Sequence, residues 1–150
     1  MNLALVGFTH SYNDQQWLAM AEAWLSENEP ALSLNGARRF VFDLRGPEGL
    51  NFLDDDGLYD VVILFAIYNP LAGSRELERA IGRRRGQTSL AENHSRENWT
   101  ARLIRTRAKY VLVFRRPDSV DGDWLGEIDG YEKHPDKPGV FGMSIYQLLS

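Results

Sequence analysis

The chain has 150 residues, 43% hydrophobic and 25% charged, and no cysteine. One ordinary globular domain fits these figures; a disordered or membranous chain, a disulfide framework, thiolate catalysis and a cysteine-based metal site do not. The net charge of −4 hides a basic middle: residues 1–74 carry three Arg against ten Asp/Glu (−7), residues 75–116 twelve Lys/Arg against four Glu (+8), and residues 117–150 two Lys against seven Asp/Glu (−5).

Leu3 to Phe8 is apolar except for Gly7 and predicts a first strand ending at Thr9-His10. The opening MNLALVGFTH lacks a basic region and a small-residue cleavage site. A secretory leader is therefore not expected, and the absence of cysteine fits a reducing cytoplasm. Ser11 is placed to cap a helix over 11–28, with Asp14 three residues on as a capping-box-like partner. Trp17, Leu18, Ala21, Trp24 and Leu25 form the stripe of a face packed on a sheet. Pro30 stops the helix. A second strand is expected at 39–44, with Asp43 near its carboxyl end. Residues 48–56 fit either a short helical turn or an irregular crossover, and Asp54, Asp55 and Asp56 read as a solvated turn.

Val61 to Ile67 is an unbroken apolar run, rich in β-branched residues and Phe, with no polar residue at helical spacing. A bilayer span needs about 20 apolar residues, so this run predicts a central strand at 61–67 covered on both faces. A helix follows at 74–82, with Leu77, Ala80 and Ile81 on one face, and then an exposed loop through Glu92 that holds Arg83, Arg84 and Arg85. A third helix is expected at 95–106 with Trp99, Leu103 and Ile104 facing inward, and a fourth strand at 110–114. Asp118 to Gly139 reads as an acidic, loop-like tail anchored by Trp124, Leu125, Ile128 and Tyr131; Val140 to Leu149 alternates in part and fits an antiparallel edge strand at 140–148. Strands alternating with helices imply parallel β-α-β crossovers. The expectation is a single three-layer, Rossmann-like α/β domain over residues 1–150, with a mainly parallel sheet.

In such sheets ligands bind beyond the carboxyl ends of the strands. That rule selects Thr9, His10, Asp43, Tyr68, Asn69, Arg115 and Arg116. His10 is the candidate catalytic acid or base, imidazole being the side chain most often used for that work. Thr9, Asp43, Asn69 and Arg115 are the candidate ligand-binding residues. Exposed strand-end loops are polar in any case, so this group has a purely solvent-facing reading beside the chemical one. His94 and His134 have no ligand-like spacing, and no metal site is expected. After the first strand the chain reads VGFTHSYND, with one glycine where a dinucleotide fingerprint has three. The residues name no cofactor.

Leu50 to Leu71, LNFLDDDGLYDVVILFAIYNPL, resembles the segment of class I S-adenosylmethionine-dependent methyltransferases that leads into and along their fourth strand. Asp43 in FVFDL resembles their acidic residue after the second strand, which holds the ribose hydroxyls. The resemblance covers residues 40–71 and leaves out the glycine-rich first loop, so it implies a degenerate, non-methylating domain. The opening GFTHSYNDQQWLAMAEAWL looks like the start of a TIR domain. That likeness implies self-association or NAD cleavage, with Glu76 or Glu78 as its glutamate.

The leading expectation is a binding domain without catalysis whose partner is a protein, reached through tail aromatics such as Trp124, Tyr131, Phe141 and Tyr146. The alternative is a small nucleotide- or nucleoside-ligand enzyme using the strand-end rim. Nucleic acid is not an expected partner. Arg75, Arg79 and Arg83 to Arg85 complement a helix carboxyl terminus, and residues 75–92 hold no aromatic to stack on a base.

Overall fold

Four strands lie side by side in parallel: β1 (Asn2–Val6), β2 (Arg38–Phe42), β3 (Val61–Leu64) and β4 (Tyr110–Phe114). Two more, β5 (Tyr131–Lys133) and β6 (Met143–Leu148), continue the sheet in antiparallel sense, giving the order β2-β1-β3-β4-β6-β5. Among the described residues two helices accompany them, α1 (Tyr12–Asn28) and α2 (Arg96–Thr106). The computed structural model describes residues 1–32, 34–42, 58–65, 96–114, 125–135 and 142–149. The expected helix at 74–82, the arginine loop and the aspartate run lie outside them.

The alternation of each strand sorts its residues onto two faces. Leu3, Leu5, Val61, Ile63, Tyr110, Leu112 and Phe114 share one core with Leu18, Ala21, Trp24 and Leu25 of α1. Ala4, Val6, Val62, Leu64, Val111 and Val113 share the other with Trp99 and Leu103 of α2 and with Leu125, Ile128 and Tyr131. Both faces of the central strands are therefore dry, which is why β3 and β4 read as continuous apolar runs.

α1 begins where the cap residues place it. The Ser11 hydroxyl accepts the Asp14 N–H at 3.2 Å, and the Ser11 carbonyl accepts from Gln15 at 3.0 Å. The chain leaves α1 at Glu29, whose N–H donates to Leu25. In α2 the inward stripe is Trp99, Arg102, Leu103 and Thr106. Ile104, expected inside, is 38% exposed, because it lies one position off the stripe.

The sheet departs from expectation on its later side. It is mixed rather than mainly parallel, since β4 pairs with β6 and β6 with β5 in antiparallel sense. The strand expected at the edge, 140–148, is β6 and lies inside the sheet, with Met143 to Tyr146 buried. The edge is instead β5, cut from the stretch expected as loop. β1 and β3 also end earlier than expected: Gly7 turns out of β1 at φ 81°, a left-handed conformation glycine adopts freely. Among the described residues, no helix is long and apolar enough to cross a membrane.

Candidate functional site

The strand order 2-1-3-4 reverses direction between β1 and β3, and the carboxyl ends of those two strands mark the place where an open α/β sheet takes a ligand. From β1 the chain brings Gly7, Phe8, Thr9 and His10 to that rim; from β3 it brings Phe65. Asp43, Asn69 and Arg115, the other candidate ligand-binding residues, lie outside the described residues, as do Tyr68 and Arg116. Only Thr9 and His10 of the expected group can be placed, and they are neighbours at the start of α1.

Thr9 is committed to the helix. Its N–H and its hydroxyl both donate to Oδ2 of Asp14, each at 2.8 Å. Asp14 is itself only 6% exposed, so a carboxylate sits against the positive end of α1. That is where a ligand phosphate would seek free amides. The acidic residue expected to reach back to Ser11 reaches past it to Thr9.

His10 is exposed, with φ of 60°, in the left-handed region that His enters more often than most side chains. Its carbonyl accepts from Nε2 of Gln15 at 2.9 Å, and its ring meets the edge of Phe8 at 4.5 Å. Among the described residues no hydrogen bond orients the imidazole, whereas a working general base is held by one.

Behind His10 runs a row of rings. Phe8 contacts Phe65 at 5.0 Å, Phe65 stacks on Phe114 at 5.9 Å, and Phe114 stacks on Trp17 of α1 at 5.6 Å. Phe8 and Phe65 are 5% and 2% exposed. Among the described residues, these rings line the α1 side of the junction between β1 and β3. No spacing rule announced this row, since its members come from four elements.

Two further polar sites occupy the opposite end of the sheet. Glu29, just past α1, pairs with Lys109 at 2.9 Å and accepts from the Tyr110 hydroxyl at 3.0 Å. The Lys109 hydrogen bond, aided by that from Tyr110, holds the Glu29 carboxyl below its usual range; burial, then Glu29, pushes the Tyr110 hydroxyl up. Trp24 lies edge-on to both Tyr110 and His134, and His134 Nε2 is 2.9 Å from Oε1 of Gln147. This cluster ties the end of α1 to β4 and β6. Beside it, a groove of about 670 Å³ lies between α1 and the approach to β2, lined in part by Glu22, Ser26, Leu34, Asn35 and Arg39. Arg39 pairs with Glu22 across its wall at 3.1 Å.

Of the tail aromatics, Tyr131 and Tyr146 are buried. The Tyr131 hydroxyl donates to the Ala108 carbonyl at 2.6 Å, and that of Tyr146 to Gly126 at 2.7 Å. Both pack on the chain's own core instead of offering a surface; Trp124 and Phe141 lie outside the described residues. Among the described residues, no group of three or more acidic or histidine side chains is placed to hold a metal ion. Comparison with protein-family models, with curated proteins and with solved structures finds no match for this chain.

Proposed function

We propose that this chain is a cytoplasmic, three-layer Rossmann-like domain that acts by binding a protein partner, without catalysis. The observation that carries the reading is the state of the rim at the β1/β3 junction. Asp14 holds Thr9 and occupies the positive end of α1, and Phe8 and Phe65 fill the space behind it. Among the described residues, the Asp14 carboxylate and two buried rings stand where a phosphate-bearing cofactor would approach. Among the described residues, an exposed sheet edge lies elsewhere, at β2, where Val41 is 44% exposed. Light scattering and affinity capture from the native host test this reading. An assembly larger than one chain, or a captured protein partner, is expected; a strict monomer that captures nothing contradicts it.

A second reading rests on the strand order. The junction of β1 and β3 is the ligand position of open α/β sheets, and His10 stands exposed beside it. A nucleotide- or nucleoside-ligand enzyme, on the resemblance to methyltransferases or TIR domains, would use His10 as acid or base. Asp43 would then be the ribose anchor, Asn69 an orienting amide and Arg115 an anion clamp. It must also open the Asp14 and Phe8 contacts, which is why it stands second.

A further inference from the structure

The partner of the edge strand follows from the direction in which its backbone points. The Arg38 N–H donates to the Met1 carbonyl at 2.9 Å, and the Phe42 carbonyl accepts from Gly7 at 2.8 Å. Arg38, Phe40 and Phe42 therefore turn their main-chain groups toward β1. Arg39 and Val41 turn theirs outward, and among the described residues β2 pairs with β1 alone. The opposite edge, β5, is only three residues long and two of them are charged, features that blunt an edge. β2 is longer, and among the described residues only its two arginines blunt it.

Both arginines are already engaged. Arg39 pairs with Glu22 at 3.1 Å, and the Arg38 guanidinium lies 5.2 Å from the centre of the Phe40 ring. We propose that β2 pairs with β2 of a second copy of this chain, antiparallel about a two-fold axis at Phe40, making one continuous sheet across the dimer. This deepens the protein-binding reading above and rests on it. The backbone phase fits: with Phe40 opposite Phe40, each Arg39 faces a Val41, and these are the residues whose N–H and C=O groups point outward. Four main-chain hydrogen bonds then close across the axis.

The side chains fit the same register. On the α2 face Phe40 meets its own copy in the close, non-hydrogen-bonded position, and Arg38 faces Phe42 of the other copy, placing a guanidinium between aromatic rings. On the α1 face Arg39 faces Val41. No arginine stands opposite an arginine, so like charges do not oppose the pairing. The interface is isologous and closes at two chains.

Size-exclusion chromatography with light scattering, across a concentration series, tests the pairing. The wild type is expected at twice the 17.1 kDa of one chain at high concentration. Val41→Lys sets a second cation against Arg39 of the other copy and is expected to abolish the dimer, whereas Val41→Glu offers Arg39 a counter-charge and is expected to keep it. Val41→Pro removes an outward N–H that β1 does not use, so the fold is retained and the dimer is lost. Circular dichroism of each variant separates loss of pairing from loss of fold. A monomeric wild type, or a dimer indifferent to Val41→Lys and Val41→Pro, overturns the self-pairing. The broader protein-binding reading falls only if affinity capture also returns no partner.

Discussion

At the scale of single residues, Asp14 bears the most weight at the rim, because one nearly buried oxygen accepts both the N–H and the hydroxyl of Thr9. Asp14→Ala leaves both donors without that acceptor and removes the charge from the positive end of α1. The expected cost is about 1–3 kcal/mol, read from the midpoint of urea unfolding, with a smaller loss for Asp14→Asn. An unchanged midpoint would show that Thr9 is free to serve a ligand. Glu29 gives an acid-side test. Its folded carboxyl ionises below the ordinary 4.5, so its contribution is complete above that pH and is lost as pH falls through the lowered value. Glu29→Gln should flatten the stability profile below pH 4.5 and leave its slope near neutrality alone. Tyr131 gives the alkaline counterpart. Burial raises its hydroxyl from 10.0 to about 12, so its contribution is complete below pH 10 and disappears between about 10 and 12. Ultraviolet titration of Tyr131→Phe should lose one tyrosine ionisation near pH 12; an unaltered alkaline titration would contradict the buried bond to Ala108.

At the scale of elements, α2 offers a contrast within one helix turn. Leu103 is fully buried between the helix and the sheet, while its neighbour Ile104 is 38% exposed. Leu103→Ala should cost about 2–5 kcal/mol, and Ile104→Ala no more than about 1 kcal/mol, as surface substitutions do. Equal losses at the two positions would place the helix in a different rotation. The elements legible in the sequence were those whose signals are local: the Ser11–Asp14 cap, the α1 stripe, and the apolar runs of β3 and β4. β5 was not legible, because Tyr131-Glu-Lys offers one buried residue in three within an acidic stretch. The partial alternation of Val140 to Leu149 suits an edge strand, yet Met143 to Tyr146 are buried inside the sheet, Ser144 included at 1% exposed. At the rim, the strand-end rule selects Thr9 and His10, which follow β1 directly, while Asp43, Asn69 and Arg115 lie outside the described residues. The bond from Thr9 to Asp14 was hidden, since spacing assigned Asp14 to Ser11 alone. The Glu29–Tyr110 contact joins residues far apart in the chain and carries no local signal.

At the scale of the whole molecule, charge and ligand make separate tests. The proposed domain has acidic ends around a basic middle, and gel shifts at low and moderate salt should show no meaningful nucleic-acid affinity. Binding that weakens steeply with salt and vanishes when Arg83, Arg84 and Arg85 are replaced by Ala would overturn that expectation. The most direct test of binding without catalysis is a thermal-shift screen with S-adenosylmethionine, NAD and ATP. A ligand held at about 100 times its dissociation constant stabilises a fold by about 2.7 kcal/mol, which for a chain of this size raises Tm by several degrees. With Asp14 and the Phe8–Phe65 pair occupying the junction, none of the three is expected to move Tm. A clear upward shift with any of them, lost in His10→Ala, would contradict the account.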